Sequence, residues 1–452
     1  MNRLKYLDPL IRLLQIISIS TQSEYLPEMQ RARDFLVDLF KSLGFKTRIL
    51  KGKKHGAVFA ELETNDQAPT VLIYGHYDVQ PPDPLDEWKS DPFEPTIMNG
   101  KIYGRGTTDN KGQLMLQIMS IKKLLAENKK LKVNFKFLIE GEEEIGSISI
   151  EAFAKEYADT FLKCDYIIVS DSEMLSGSTP TIDISLRGLL YTEVFLQSAV
   201  HDVHSGQYGG VAENPANILA QIISKLKDEK NKILIPHFYD DVIPLTKREI
   251  ADYKSIGMTG RDIKYEGELF GVGGGEEEFS LNERRWGRPT LDVNGLTSGY
   301  QEEGSKTIIP AKSSAKISMR LVPNQNPDKI FTSFSKYIKS LIPEYVKLKI
   351  AKHASDLPYK APTDSFIFDI MKKLLKKSFG KDTVFTGVGG SIGFVPIMAK
   401  ALNVPVLMVG FGLPADNLHA PNESFTLDNY YKGIKVMTDF YKKLDLTNKG
   451  GV

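Results

Sequence analysis

The sequence predicts an α/β protein in which a doubly wound, mostly parallel sheet is interrupted by a second, smaller α/β unit. Short apolar runs, typical of buried parallel strands, alternate with helical faces through residues 1–186, and the same alternation returns over residues 355–452. Residues 187–354 differ, because strands and helices there flank a long irregular stretch. We therefore expect one domain formed by 1–186 and 355–452, with 187–354 inserted into it.

Four segments justify the first part of the larger domain. Residues 70–74 form a short apolar run, as expected for a buried parallel strand. Residues 113–128 place apolar side chains on one helical face, while 133–139 largely alternate and 166–169 form another short apolar run. Strand and helix in turn favour a parallel sheet covered on both faces.

The inserted segment shows shorter elements around an irregular centre. The predicted strands are 189–197, 315–321 and 346–351, the predicted helices are 215–227 and 328–341, and 240–299 is predicted to be irregular. After Asp364 a helix, a strand at 405–409 and a terminal helix from Leu427 complete the larger domain.

Composition excludes several classes of protein. The 452 residues include 58 Lys and Arg against 57 Asp and Glu, so the net charge of +1 gives no reason to expect nucleic acid or an anionic membrane as partner. The single cysteine, Cys164, excludes an internal disulfide and fits a reducing compartment. It also means that any zinc site must use nitrogen and oxygen ligands.

The N-terminal segment is predicted to be an amphipathic helix rather than a signal peptide. Leu4, Leu7, Leu10 and Leu14 follow helical spacing. No apolar run approaches the roughly 18 residues that a membrane span needs. We expect a soluble cytoplasmic protein.

Five short fragments with acidic or histidine side chains each follow a strand-like run. They are Tyr74-Gly-His76-Tyr-Asp78, Gly104-Arg-Gly-Thr-Thr-Asp109, Glu140-Gly-Glu-Glu143-Glu144, Val169-Ser-Asp171 and Asn417-Leu-His419. Ligands of open α/β sheets gather at the carboxyl ends of the strands, so these side chains are expected to meet there. Two imidazoles and several carboxylates are the ligand set of a two-metal hydrolytic site, and both zinc and manganese accept it.

The fragments differ in how strongly each one indicates a metal. His76 and Asp78 lie two residues apart, so in extended backbone both side chains point the same way and one can orient the other. Asp109 precedes a helix, where it could cap the helix or bridge two metals. The Glu140–Glu144 run needs nearby cations, because carboxylates packed at a strand end repel each other. One glutamate there could bind a metal while its neighbour takes a proton from the activated water.

Longer motifs make a family resemblance specific. They are Gly75-His-Tyr-Asp-Val-Gln-Pro81, Trp88-Lys-Ser-Asp-Pro-Phe93, Tyr103-Gly-Arg-Gly-Thr-Thr-Asp-Asn-Lys-Gly112, Glu142-Glu-Glu-Ile-Gly-Ser147, His204-Ser-Gly-Gln-Tyr-Gly-Gly210 and Lys306-Thr-Ile-Ile-Pro310. Over essentially the whole chain, the sequence resembles the dinuclear zinc peptidases that include carnosine dipeptidases, glutamate carboxypeptidases and aminoacylases. It is most similar to the cytosolic nonspecific dipeptidase branch, except that Asn110 stands where many members of that branch have Asp.

The resemblance implies a role for each matching residue of the metal site. His76, Asp109 and Asp171 would hold one metal, and Asp109, Glu144 and His419 the second. Glu143 would be the general base, and Asp78 would orient His76. Zn²⁺ is the expected metal for both positions, with Mn²⁺ as the alternative.

The resemblance also implies roles for residues of the inserted domain. His204 would reach the neighbouring subunit's site in a homodimer and stabilise the oxyanion, which makes the inserted, ferredoxin-like domain a lid and dimerisation domain. Arg320 would grip the substrate carboxylate, and Thr307 and Ser391 would contact the substrate. The expected activity is hydrolysis of dipeptides or short peptides with a free carboxylate, by a metal-bridging water that Glu143 activates.

Four other functions stay open. An N-acyl amino acid amidohydrolase or a carboxypeptidase would use the same family's site. Gly389-Gly-Ser391-Ile-Gly393 fits the nucleophile elbow of serine hydrolases, and Asp416 and His419 follow it. However, His419 lies only three positions after Asp416, which leaves little room to place the two on separate loops, as a catalytic triad usually does. A peptide-binding protein on a degenerate hydrolase fold would lack a ligand or the base, and here every such position is filled.

Overall fold

The computed structural model describes residues 4–127 and 131–444, and the chain divides into two compact units. The first unit contains residues 1–184, 361–386 and 392–452, apart from those outside the described ranges. The second contains residues 185–360 and 387–391.

Strands and helices alternate along the described chain. The strands are β1 (Lys46–Leu50), β2 (Ala57–Leu62), β3 (Thr70–His76), β4 (Thr96–Met98), β5 (Lys101–Tyr103), β6 (Asn134–Glu140), β7 (Tyr166–Val169), β8 (Thr181–Leu186), β9 (Gly188–Gln197), β10 (Val203–His204), β11 (Thr290–Ser298), β12 (Ile308–Ile309), β13 (Lys312–Leu321), β14 (Lys347–Asp356), β15 (Tyr359–Lys360), β16 (Val384–Val388), β17 (Val406–Met408) and β18 (Ser424–Thr426). The α-helices are α1 (Leu4–Leu14), α2 (Leu26–Ser42), α3 (Lys111–Glu127), α4 (Ile150–Tyr157), α5 (Ser205–Tyr208), α6 (Pro215–Ser224), α7 (Lys247–Ser255), α8 (Gly260–Glu266), α9 (Pro327–Ser340), α10 (Phe366–Phe379), α11 (Phe394–Leu402) and α12 (Leu427–Lys443).

The main sheet of the first unit has the order β1-β2-β6-β3-β7-β17-β8. Its centre is parallel, since β3 pairs in parallel with β6 and β7, and β7 with β17. The strands β1 and β2 extend it with antiparallel pairs. The carboxyl ends of β3, β6, β7 and β17 therefore all lie at one edge of the sheet.

Helices cover both faces of this sheet. Ile73 lies beside Phe137, and Tyr74 beside Leu138, so Tyr74 and Phe137 point to opposite faces. The Phe137 ring packs against Phe40 of α2 at 4.8 Å, while the Tyr74 ring stacks on Phe394 of α11 at 3.9 Å. The prediction of a mostly parallel sheet inside an α/β fold is confirmed. The helix predicted at 113–128 begins at Lys111 and is described to Glu127, and Asn128 lies outside the described residues.

The second unit contains a four-stranded antiparallel sheet in the order β11-β13-β9-β14. With α6 between β9 and β11 and α9 between β13 and β14, this is a ferredoxin-like β-α-β-β-α-β arrangement. Apolar residues of both helices, such as Leu219 and Phe334, form a core with the sheet residues Val194 and Ile317. The opposite face of the sheet includes Arg320, whose side chain alternates with the buried Met319 and Leu321.

The prediction that 240–299 is irregular was wrong. This stretch contains α7, α8 and the nine-residue edge strand β11. The strand was missed because Leu291 is its one buried residue and a register shift between Val293 and Gly295 breaks the alternation. Both helices begin with capping boxes at Thr246 and Thr259, a signal that the sequence does contain.

Candidate metal centre

The parallel strands of the first unit bring the acidic and histidine fragments to one edge. His76 is the last residue of β3, and Asp171 follows β7 by two residues. Glu143 and Glu144 lie in a short 3₁₀ turn that follows β6. Asp109 precedes α3, and His419 lies in the loop between β17 and β18.

Asp109 lies between the two imidazoles. Its Oδ1 is 3.1 Å from His76 Nε2, and its Oδ2 is 2.8 Å from His419 Nε2. The two carboxylate oxygens thus face different histidines, which is the orientation that a carboxylate bridging two metals requires.

Two further carboxylates extend this arrangement in opposite directions. Asp171 Oδ1 is 3.7 Å from His76 Nε2, and Glu144 Oε2 is 3.4 Å from His419 Nε2. Each imidazole therefore shares Asp109 with the other and has one additional carboxylate of its own. The structure thus brings together the five residues that the family resemblance predicts as metal ligands.

Asp78 connects the two halves of the site. His76 Nδ1 lies 3.0 Å from the Asp78 carbonyl oxygen and 3.4 Å from its carboxylate Oδ1. The other carboxylate oxygen of Asp78 accepts a hydrogen bond of 3.0 Å from the Glu144 backbone N–H. Asp78 is fully buried, so these contacts fix both the imidazole and the start of the glutamate turn.

The ionisation of the site reflects the crowding of its acids. Burial would lower the pKa of His76, but the nearby Asp109 and Asp171 raise it well above its usual range. Hydrogen bonds with Asp109 and Glu144 raise the pKa of His419 to about 10. Burial raises the pKa of Glu143 well above its usual range, and the charges of Asp171 and Asp109 add to this effect. Without metal, the two imidazoles and the Glu143 carboxyl thus favour their protonated forms. Beside metal cations, the imidazoles would instead be neutral and the carboxylate charged.

The residues present fit divalent cations. His76 Nε2 and Glu144 Oε1 are buried, and among the described residues neither has a hydrogen-bond partner. One ligand atom each from His76, Asp109 and Glu144 lies within 4.8 Å of the other two. Nitrogen and oxygen donors at this spacing suit Zn²⁺ or Mn²⁺.

Two glutamates of the acidic run have other roles. Glu140 is buried and accepts hydrogen bonds from the hydroxyls of Tyr74 and Ser147, and burial raises its pKa to about 8. Glu142 accepts hydrogen bonds from the backbone N–H groups of Lys54 and His55. These contacts hold the turn that carries Glu143 and Glu144.

In the second unit, His204 and Thr307 lie side by side. His204 pairs with Ile308 in a short antiparallel ladder, and the Ser205 backbone N–H donates to the Thr307 carbonyl oxygen. The His204 side chain is exposed, and its Nδ1 accepts a hydrogen bond of 2.9 Å from the Gly206 backbone N–H.

Within residues 4–127 and 131–444, Ser391 has no hydrogen bond to a histidine, the partner that a nucleophilic serine needs. Its hydroxyl donates a hydrogen bond of 3.0 Å to Asp356 Oδ2, an acceptor that cannot work as the histidine of a catalytic triad. The elbow-like sequence around Ser391 therefore gains no support from its surroundings in the second unit.

The sequence did not predict the contacts that Asn110 and Gln80 make with the proposed ligands. Asn110 donates from Nδ2 to Asp171 Oδ1 at 2.7 Å and accepts from the His76 backbone N–H at 3.3 Å. Gln80 donates to Glu144 Oε2 at 2.8 Å. Both residues stand inside the quoted motifs, but no local pattern reveals the side chains that they contact.

Comparisons with known proteins identify the family of this chain. The profile of peptidase family M20/M25/M40 matches residues 72–443. The chain belongs to this peptidase family. The resemblance inferred from the motifs is thereby confirmed.

Individual relatives cover most of the chain. The Beta-Ala-His dipeptidase of Rattus norvegicus is 31% identical over 87% of this chain and 80% of its own. The Cys-Gly metallodipeptidase DUG1 of Candida albicans is 34% identical over 96% of this chain and 93% of its own. Among solved structures, the M20 family metallo-carboxypeptidase Sso-CP2 from Sulfolobus solfataricus is 35% identical, covers 97% of this chain and 98% of its own, and has a TM-score of 0.87.

In residues 4–127 and 131–444, no helix has the length and apolar character needed to cross a membrane.

Metal binding should release protons. At pH 7 the raised pKa values keep both site imidazoles protonated in the metal-free protein, and a metal can bind an imidazole nitrogen only after that proton has left. Raising the pH should therefore strengthen binding of Zn²⁺, and lowering it should weaken binding. Calorimetric titration in two buffers of different ionisation enthalpy measures the protons released, and the exposed His237→Gln variant is the control that should behave as wild type. A binding enthalpy that does not depend on the buffer would contradict this prediction.

Proposed function

We propose that this chain is a metal-dependent dipeptidase that acts on dipeptides with a free carboxylate. The position of Asp109 between His76 and His419 is the observation that carries the proposal. His76, Asp109 and Asp171 would hold one divalent cation, and Asp109, Glu144 and His419 the other. The relatives named as dipeptidases, which match over 80% or more of their own length, support this substrate class.

The cations, when bound, would polarise the scissile carbonyl and make a water molecule acidic enough to lose a proton near pH 7. Glu143 would accept that proton at its carboxylate and then donate it to the leaving amine. Its surroundings support this role, because burial raises the pKa of Glu143 well above its usual range and the charges of Asp171 and Asp109 add to this effect. Asp78 would keep the His76 ring in the orientation that presents Nε2 to the metal.

Arg320 would hold the free carboxylate of the substrate. Burial, together with the charges of Arg320 and Arg285, lowers the pKa of Arg187 to about 10. Several guanidinium groups on one side of the second unit favour an anionic partner. Thr307 and Ser391 would add polar contacts to the substrate.

The second unit would act as a lid and a dimerisation domain. His204 is exposed in one subunit, which supports a role at the site of a partner subunit in a homodimer. There it would stabilise the oxyanion that forms when the peptide carbonyl is attacked. Zn²⁺ would be the working metal, with Mn²⁺ as the alternative. A chain with one cysteine also suits a reducing compartment such as the cytoplasm.

A carboxypeptidase activity is the second candidate. It is favoured by the similarity to the metallo-carboxypeptidase Sso-CP2. Such an enzyme would also use a free carboxylate but would tolerate a blocked or extended N-terminal side.

Substrate screening separates these two candidates. We expect hydrolysis of dipeptides that have a free amine and a free carboxylate, and little hydrolysis of C-terminally amidated dipeptides. Tripeptides and N-acyl amino acids are assayed in parallel with added Zn²⁺ or Mn²⁺. Faster hydrolysis of N-blocked or longer peptides than of free dipeptides would overturn the dipeptidase proposal in favour of the carboxypeptidase.

The Glu143→Ala variant should lose about 10² to 10⁴-fold in kcat, the usual contribution of a general base. It should keep its bound metals, because Glu143 is not among the proposed ligands. Metal content is measured by mass spectrometry beside activity, with the exposed Glu151→Ala as the control that keeps both. Retained activity in Glu143→Ala would remove it as the base, and a loss of metal would reassign it as a ligand.

The His204→Ala variant should lose about 10² to 10³-fold in kcat, as expected for removal of an oxyanion donor. The matched control is His201→Ala, three residues earlier and also exposed, which should keep its activity.

Mixed dimers test whether His204 acts across the interface. A dimer of one His204→Ala and one Glu143→Ala subunit would contain one complete site if His204 serves the partner. Random mixing should then restore about a quarter of wild-type activity, because about half of the dimers are mixed and each has one working site. No recovery in verified mixed dimers would show that His204 does not act in trans.

A further inference from the structure

Glu423 is a buried carboxylate with an unusually complete set of partners. Its side chain is fully buried, and its Oε2 accepts hydrogen bonds from Arg105 Nη1 at 2.9 Å and from the Gly106 backbone N–H at 2.8 Å. Its Oε1 accepts from the backbone N–H groups of Thr108 at 2.9 Å and Asp109 at 3.1 Å. One side chain thus holds three backbone N–H groups of the turn that ends at Asp109.

These contacts fix the backbone at Asp109 and therefore the direction in which its side chain points. The Gly104 backbone N–H donates to the Glu423 carbonyl oxygen at 3.0 Å, so the turn is attached to Glu423 at both of its ends. The Arg105 guanidinium supplies the opposite charge that a carboxylate needs in a dry interior.

Glu423 also belongs to the segment that carries His419. Glu423 follows His419 by four positions in the sequence, and β18, which begins at Ser424, pairs with β5 immediately before the Asp109 turn. The Asn422 side chain adds hydrogen bonds to the backbone of Lys89 and Glu87. The loop that bears His419 is therefore anchored to the same region that bears Asp109.

We propose that Glu423 is a positioning residue that sets Asp109 and His419 in register with each other, so that both can bind the same metal ion. This inference rests on the metal centre of the proposed function and adds to it a residue that touches no metal. The 2.8 Å contact between Asp109 Oδ2 and His419 Nε2 is the geometry that this register produces. Outer partners of metal ligands typically change metal affinity or activity by about 10- to 100-fold when they are replaced.

If Glu423 only stabilised the fold, replacing it would affect Zn²⁺ binding no more than replacing another buried glutamate that is paired with an arginine. The second unit offers a matched ion pair, in which Arg288 Nε and Nη2 donate to Glu276 at 2.6 Å and 2.9 Å. Glu276 is also buried, with 4% of its surface exposed, and it belongs to none of the proposed metal ligands or their partners. Replacing either glutamate with glutamine removes a buried charge beside arginine, so both variants should lose thermal stability.

The test measures metal binding directly and does not depend on peptidase activity. The Kd for Zn²⁺ alone is determined by competition with a chromophoric chelator for the wild-type, Glu423→Gln and Glu276→Gln proteins, with Tm recorded for each. We expect Glu423→Gln to bind Zn²⁺ about 10- to 100-fold more weakly than wild type and Glu276→Gln to bind it as wild type does. Unchanged affinity in Glu423→Gln, or an equal loss in Glu276→Gln, would overturn the proposal.

A second variant keeps the test decisive if Glu423→Gln does not fold. Glu423→Asp keeps the charge beside Arg105 but is one methylene too short to reach all three backbone N–H groups together. The same loss of Zn²⁺ affinity is expected, and wild-type affinity in this variant would overturn the proposal. A wild-type protein that binds no Zn²⁺ or Mn²⁺ would instead refute the metal centre itself, whereas normal wild-type binding with unaffected variants refutes only the role of Glu423.

Discussion

Each carboxylate oxygen of Asp109 faces a different imidazole, and the functional edge of the first unit depends on this double contact. Asp109, Asp171, Glu143 and Glu144 are brought together where water has little access, and like charges in such a place repel strongly. Without metal cations, protonated imidazoles and protonated carboxyls must relieve the repulsion. Divalent cations would neutralise these acids, and Asp109 is the carboxylate that contacts both imidazoles.

The parallel sheet explains why residues so distant in sequence meet. The four strands β3, β6, β7 and β17 run in one direction, so the segments that follow them lie at a common edge of the sheet. The rigid strands fix the positions of the loops that follow them, and these loops carry most of the side chains proposed to bind metal. Side chains outside the proposed ligand set make further contacts at this edge: Asp78 contacts both His76 and Glu144, and Asn110 contacts Asp171.

Much of this arrangement could be predicted from the sequence, for physical reasons that differ between parts of the chain. Buried central strands such as β3 are apolar on both faces, so their sequence is distinctive. The edge strand β11 has one buried residue and an interrupted register, so its sequence resembles a loop. The fragments with metal-binding chemistry stood out because imidazoles and carboxylates recur after strands.

The supporting residues could not be predicted in the same way. Glu423 accepts hydrogen bonds from residues more than 300 positions away in the sequence. Gln80, which follows β3, donates a hydrogen bond to Glu144, which follows β6. Such contacts depend on the folded path of the chain rather than on local periodicity, so single-sequence patterns do not report them. Family motifs mark some of these positions but do not say what each side chain touches.

Diffraction data collected at the zinc absorption edge from crystals of the zinc-loaded protein would test whether Asp109 bridges two metals. If it does, two anomalous peaks should lie about 3.5–4 Å apart, the usual spacing of two-metal hydrolytic sites, with one oxygen of Asp109 directed at each peak. A single peak, or two peaks of which only one contacts Asp109, would contradict the claim that this carboxylate bridges two metals.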